Sequence, residues 1–353
     1  MNHRPARYRP VSLYHQRGVN LIEIMVAMVI GLFLVVGAST LYVNTKKTSD
    51  VDDAIARMQE TARYAMSIIE SDVRMANYWG LKKDGSSFTN ANSLNTTVTG
   101  TTTSNKFGGM TAASLEPTTG NTCGNGYATK VEAYLEATNN DYPFTATCPA
   151  SPTSASASAD TLTVRRASTP TSSADGQYLQ ICSTRTTATL INDATATCSN
   201  GEIHNLSVNL YYVDRGSDQN TKYPSLRRKT LGSGKTFSDV EVIPGVEDIQ
   251  IELGWDDSSD VMNSIGAVRY VQPGNTVLSS GRIVAVRIWL LIRAEQPDYS
   301  FKETRTYSYA DRMTNTVSDL NAGGADGAMY APRDNYRRLL VSRTIYIRNV
   351  TGT

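Results

Sequence analysis

The sequence predicts an α+β fold in which one long N-terminal α-helix packs on an antiparallel β-sheet head. Three observations predict it. No proline stands between Pro10 and Leu81, and no glycine between Gly37 and Gly80, so nothing breaks a helix over residues 19–79. Apolar residues in the second half of that stretch, Val51, Ile55, Met58, Ala62, Ala65, Ile69, Val73 and Ala76, recur every three or four positions, which is one stripe of an amphipathic helix. From residue 161 onward, short β-branched and aromatic runs alternate with polar residues at period two, which describes antiparallel strands with one face buried.

Taken in order, the chain opens on a basic leader, residues 1–18, holding Arg4, Arg7, Arg9 and Arg17 and no acid. An apolar run follows, and residues 24–45 carry no charge, long enough to span hydrocarbon as a helix. The leader's charge places the N-terminus on the cytoplasmic side and the chain after about Thr45 in the periplasm. One carboxylate, Glu23, sits at the head of the apolar run. An unpaired carboxylate in a bilayer costs about 3 kcal/mol or more, so Glu23 needs a partner or a purpose. The charged segment KKTSDVDD then leads into the amphipathic half of the helix, residues 46–80, and the whole helix would measure about 90 Å.

Residues 81–160 are rich in Ser, Thr, Asn and Gly and read as a variable surface excursion, with a short helix over 129–138 and a linker over 149–160. The β head occupies residues 161–353. Its strands are expected at 161–166, 177–182, 187–191, 203–213, 226–231, 246–255, 282–293, 304–309 and 339–348. In the seventh of these, Ile283, Ala285, Arg287 and Trp289 are read as one alternating face.

The four cysteines, Cys123, Cys148, Cys182 and Cys198, all follow the apolar run. An even count in an oxidising compartment reads as disulfides with three possible connectivities. Spacing favours Cys123 with Cys148 and Cys182 with Cys198, each closing a loop worth about 3 kcal/mol. No metal site is expected: no CxxC occurs, and beyond the leader the chain has one histidine, His204.

Gly18, then Val19-Asn20-Leu21-Ile22-Glu23, then a hydrophobic helix resembles the processing signal of type IV pilins and their type II secretion relatives. The resemblance implies that a prepilin peptidase cuts after Gly18 and methylates the new amine of Val19. It also implies that Glu23 neutralises a neighbouring subunit's N-terminal amine during assembly. The family often has Phe and Thr where this chain has Val19 and Asn20. Major pilins commonly carry a proline deep in the helix, and this chain has none there. The segment IIESDVRMANYWG resembles the helix end of minor pilins of the PilW family, whose Arg-x-Ala-Gly-Tyr pattern reads Arg74-Met75-Ala76-Asn77-Tyr78 here. Later segments follow that family in order: Asp160-Thr-Leu-Thr-Val-Arg, Tyr211-Tyr212-Val213 before Leu226-Arg227-Arg228, Val242-Ile243-Pro244-Gly245-Val246, IVAVRIWLLIRAE and TIYIRN.

The resemblance implies a type IV pilin-like fold and a structural minor pilin that primes or caps a type IV pilus. The expected location is the inner membrane with a periplasmic head, then the pilus tip. The implied partners are the prepilin peptidase, other minor pilins, the major pilin and the membrane before assembly, with a tip adhesin as a further candidate. Two other readings are a J-type pseudopilin of type II secretion and an exported, disulfide-bonded binding module. The second would use a conventional leader cut after Val36-Gly37-Ala38.

Catalysis and cofactors are not expected: no GxSxG, P-loop, HExxH or dinucleotide glycine pattern occurs. His204 lies in a strand-like segment and reads as structural. Asp319 to Asp326 places oxygen ligands around glycines but lacks the acidic spacing of a calcium loop, so it reads as a polar loop. Arg227-Arg228-Lys229 reads as a solvated or interface patch. No nucleic acid is expected, because loss of the leader's four arginines takes the formal charge from +1 to −3. Trp255 and Trp289 read as core.

Overall fold

The computed structural model describes residues 18, 20–82, 122–124, 126–171, 173–256, 268–279, 281–312, 314–318 and 328–350. It divides into two compact units, Met1–Asp53 and Ala54–Thr353. The fold is α+β, with one α-helix among the described residues, α1 (Leu21–Arg74), and the antiparallel sheets of a head. The helix ends five residues before Trp79, earlier than the sequence pattern suggests, because Asn77 takes a left-handed conformation with φ 62°. Asparagine is one of the few side chains that tolerates this conformation, and it stops a helix as a C-terminal glycine does.

The first sheet has seven strands: β1 (Leu135–Thr138), β2 (Thr161–Thr171), β3 (Gln180–Ser183), β4 (Ala188–Ile191), β5 (Glu202–Asp214), β6 (Ser225–Leu231) and β7 (Phe237–Pro244). Its order is β1-β2-β5-β3-β4, and β6 pairs with the far end of β5 and carries β7. The second sheet is built from β8 (Val246–Asp256), β9 (Arg269–Val271), β10 (Arg282–Arg293) and β13 (Arg338–Tyr346), in the order β13-β10-β8-β9. Two short strands between them, β11 (Thr314–Ser318) and β12 (Ala328–Tyr330), pair in parallel.

The main core joins the helix residues of the head unit to both sheets. Met58, Ala62, Ala65, Ile69, Val73 and Ala76 pack with Leu162 and Tyr211 of the first sheet and Ile251, Leu253, Val286, Ile288 and Leu290 of the second. The stripe read from sequence is therefore buried from Met58 onward, while Ile55 is exposed. On β10 the core face is Val286, Ile288, Leu290 and Ile292, the opposite parity to the face read from sequence. A register irregularity between Ile283 and Ala285 causes the shift. One extra residue there moves every later side chain to the other face. Arg287 and Trp289 consequently lie on the outer face, and Trp255 is half-buried rather than core.

The outer face of the second sheet is covered too. Leu291, Tyr307, Tyr309 and Tyr330 form a cluster with Trp289 and Leu340 against it. The strand expected at 304–309 is absent; that segment makes only single bridges, Tyr307 to Tyr330 and Tyr309 to Arg312. Its job is to cover rather than to extend the sheet. The polar residues of β8 on this face are fully buried: Asp248 accepts from Arg312 (Nε, 2.8 Å) and from Tyr309 (Oη, 2.5 Å), and Gln250 donates to the Ser158 carbonyl. Glu247 of the same strand is held by Arg338.

Two readings of residues 81–160 change, and a third is not reached. Residues 83–121, the bulk of the expected surface excursion, lie outside the described residues. The expected helix over 129–138 is instead the short edge strand β1, paired in register with Thr161–Val164 of β2, where neighbouring strand overrides local propensity. The expected linker over 149–160 is packed: the Ser156 N–H donates to the Val213 carbonyl, the Asp160 N–H to the Ile249 carbonyl, and Ala159 is core.

The cysteines pair as Cys123–Cys148 and Cys182–Cys198. The first bond lies inside the head. It is buried in a second core with Trp79, Val131, Leu179, Ile181, Leu206, Val208 and Phe237. This parity and packing predict a contrast in stability. Ile288→Ala should cost about 2–5 kcal/mol in a denaturant titration of the detergent-solubilised chain. Val240→Ala, at a side chain 47 % exposed on β7, should cost about 0.5 kcal/mol or less. Equal costs would mean that the face assignment is wrong.

Candidate functional site

In the N-terminal unit the described residues begin at Gly18 and Asn20, and Val19 lies outside them. The Asn20 carbonyl accepts the first helical hydrogen bonds, from the Glu23 N–H at 2.9 Å and the Ile24 N–H at 3.2 Å. Glu23 thus stands in the first turn, where unpaired N–H groups and the helix dipole favour a carboxylate. It is exposed, and so are the large apolar side chains from Leu21 to Val43. By length and composition this is a helix able to cross a membrane. An apolar surface on every side of a helix needs lipid or other helices around it.

In the head unit the helix carries a second feature that the sequence reading passed over. Asp72 lies on the buried stripe, three residues after Ile69, where an apolar residue is the rule. Its carboxylate is met by three side chains from two strands. Arg166 of β2 donates from Nε (3.2 Å) and Nη2 (2.9 Å) to Oδ1; Asn209 (Nδ2, 2.6 Å) and Tyr211 (Oη, 2.5 Å) of β5 donate to Oδ2. Burial, with the Asp72 carboxylate next, pushes the Tyr211 phenol far above its ordinary range, so it stays a donor. The available signal was an acid inside an otherwise apolar stripe, since a buried charge must be paired.

The helix end is tied down again by the last strand. The Arg348 N–H donates to the Arg74 carbonyl at 3.2 Å. Asn349 and Asn77 exchange side-chain-to-backbone bonds: Asn349 Nδ2 donates to the Ala76 carbonyl and Asn77 Nδ2 to the Asn349 carbonyl, both at 3.1 Å. Arg343 of β13 pairs with Glu70, which also pairs with Arg74. Asn77 occupies the position where the resembling pattern has glycine, and its left-handed φ explains why that position is restricted. Tyr78 and Trp79 then enter the second core, and Trp79 Nε1 donates to Asn77 Oδ1 at 2.8 Å.

Two of the weaker sequence candidates resolve as structure. His204 is buried, with Nδ1 2.9 Å from the Ser168 carbonyl and Nε2 3.3 Å from the Glu202 carboxylate. It sits directly beneath Gly80, where a Cβ would come within 2.4 Å of Nε2. The basic cluster is not a solvated patch: Arg227 and Lys229 are buried and share Asp239, at 2.9 and 2.6 Å, and Arg227 also pairs with Asp218. Residues 319–326 lie outside the described residues. Among the described residues no group of three or more His, Cys, Asp or Glu side chains could hold a metal ion.

Residues 210–349 match the family described as type IV pilus-assembly protein W, PilW. Among solved structures, a type IV-like pilin from Thermus thermophilus is similar at 13 % identity, covering 55 % of this chain and 81 % of that one, with a TM-score of 0.27. No curated protein matches the chain. The family match and the helix-plus-sheet architecture support a pilus-assembly-related pilin.

The geometry around Asp72 predicts that Asp72→Ala costs about 3–5 kcal/mol, because it strands Asn209, Tyr211 and Arg166 without their acceptor. Tyr211→Phe removes one donor and should cost about 1.5–3 kcal/mol. Urea titration of the detergent-solubilised chain, followed by tryptophan fluorescence, measures both. An alanine cost no larger than the phenylalanine cost would show that the carboxylate does not anchor the helix.

Proposed function

We propose that this chain is a minor pilin: a non-catalytic subunit that primes or caps a type IV pilus. The observation that carries the reading is the pairing of two features in one chain. One is a helix whose first half is apolar and exposed on every side with a carboxylate in its first turn, and the other is a head whose residues 210–349 match pilus-assembly protein W. In this reading residues 1–18 are a leader, removed after Gly18 by a prepilin peptidase, and the amine of Val19 is methylated. Residues 19–45 hold the protein in the inner membrane before assembly and bundle with other pilins afterwards. Residues 46–80 join that segment to the periplasmic head, where the two disulfides suit an oxidising compartment. Other minor pilins and the major pilin are the partners, with an adhesin at the tip as a further one.

The physical role of Glu23 follows from charge. Inside a helix bundle the attraction between a carboxylate and a neighbour's N-terminal amine is strong, while either charge alone is penalised by several kcal/mol. A subunit can then join only where both charges are matched, which sets its axial register.

Gly18 and Glu23 should therefore separate in their effects. A bulky residue in place of Gly18 should leave the leader attached, because the peptidase must admit the backbone at the scissile bond. Glu23→Ala should be cleaved normally yet enter sheared pili at a small fraction of the wild-type level. Intact-mass analysis of the membrane-extracted chain reads the first outcome and immunodetection in pili the second. A mature chain beginning at Ser39 would sink the pilin reading. Loss of exoprotein release with pili intact, on deletion, would move the assignment to a secretion pseudopilin.

A further inference from the structure

The two sheets have five outer strands among the described residues: β1, β4 and β7 in the first, β9 and β13 in the second. An edge strand is a template for another chain, and folded proteins blunt it by shortness, bulges or proline. Four of the five edges are blunted. β1 and β4 have four residues each and β9 has three. β7 has a register irregularity opposite Leu226 and Arg227 and ends in Pro244. β13 is different: nine residues, no proline, and nine consecutive partners on β10 without a shift.

The direction of its backbone groups follows from its ends. The Ile347 N–H donates to the Val284 carbonyl at 3.0 Å, and the Arg337 carbonyl accepts from the Ala294 N–H at 2.9 Å. Antiparallel pairs alternate between bonded and non-bonded. With the observed register, Leu339, Val341, Arg343 and Ile345 therefore bond to β10, and Leu340, Ser342, Thr344 and Tyr346 aim their N–H and C=O groups away from it. The next outward group, the Arg348 N–H, reaches the Arg74 carbonyl of the helix end, so the outward direction is open to pairing and is used once. None of Leu340, Ser342, Thr344 and Tyr346 has a backbone partner on that side among the described residues. Ser342 and Thr344 are exposed, and the Tyr346 side chain is 62 % exposed.

We propose that β13 is an acceptor edge: it takes a fifth strand from another subunit of the assembly. This rests on the pilin reading above. The incoming segment is extended and acidic. Main-chain bonds to Leu340, Ser342, Thr344 and Tyr346 supply affinity. Beside the edge, Arg343 and Arg74 share the single carboxylate of Glu70, which leaves one net positive charge to favour a carboxylate opposite it. The row of Ser342, Thr344 and Tyr346 is firm, since Thr344 Oγ1 accepts from Arg287, which stacks on Tyr270 at 4.0 Å.

The test is a pair of prolines aimed at the outward backbone groups. Ser342→Pro with Thr344→Pro removes two outward N–H donors and leaves every backbone bond from β13 to β10 in place, losing only the Thr344 hydroxyl's bond to Arg287, at positions where sheets tolerate proline. In the producing cell, with the full-length chain, a photocrosslinking residue at Tyr346 is activated, and the captured peptide is identified by mass. The expected result is a peptide of another pilus subunit, with a yield at least about tenfold lower in the proline pair. Both disulfides and protease resistance of the head must be retained in that variant; Arg343→Pro, which breaks an inward bond, serves as the unfolded control. Unchanged yield in the folded proline pair, no crosslink at all, or a crosslink only to a second copy of this chain would each overturn the proposal. If Glu23→Ala abolishes incorporation while the proline pair does not alter capture, the edge falls and the pilin reading stands.

Discussion

The head is organised by a charge that the helix carries into its own buried face. Asp72 is expensive to bury and becomes tolerable only when Arg166, Asn209 and Tyr211 converge on it. Apolar packing along Met58 to Ala76 is non-directional and would accept small slides or rotations of the helix. The carboxylate would not. A shift of one residue turns Asp72 by about 100° and leaves four donors without an acceptor. Dispersion and burial supply the energy of the interface, and Asp72 supplies its register.

The same division recurs on the far side of the second sheet. Asp248 and Glu247 are buried carboxylates on β8, matched by Arg312 and Arg338 from the covering segment and the last strand. Burial drives the Asp248 carboxyl upward, while Arg312 and its hydrogen bonds pull it back. Tyr309 and Tyr330 add donors to these groups. A segment with little regular structure is thereby fixed over a sheet by ionic contacts at defined points. On the helix side, where regular elements meet, a single buried carboxylate, Asp72, is joined by the more exposed Glu70–Arg343 pair.

Much of the architecture was legible in sequence because it rests on periodicity. The helix stripe and most strands of the C-terminal half follow from periods of 3.6 and 2. What failed did so for identifiable reasons. The β10 face was inverted because a single irregular residue near Ile283 is invisible to an alternation count. Residues 149–160 looked like a linker because Ser and Ala are weak core signals. Their backbone groups nonetheless bridge β5 and β8, and Ser158 is buried. Arg227 and Lys229 read as surface because their partner Asp239 lies on β7, a strand the alternation did not reveal. Of the two helix carboxylates singled out, Glu23 was legible from its place beside an apolar run, whereas Asp72 needed a structure to show what it meets.

The two disulfides differ in their surroundings, and that gives them different histories. Cys123 and Cys148 are sealed among Trp79, Leu179 and Val208, so a thiolate in solution has no path to either sulfur while the head is closed. Exchange there requires in-line approach, hence an opening of the core. That bond must be made before or during closure, and afterwards it is insulated from the redox state of its surroundings. Cys182 and Cys198 are only half-buried, at the end of β3, and remain within reach of small thiols. One crosslink therefore records the conditions under which the chain folded, and the other continues to report the conditions in which it resides.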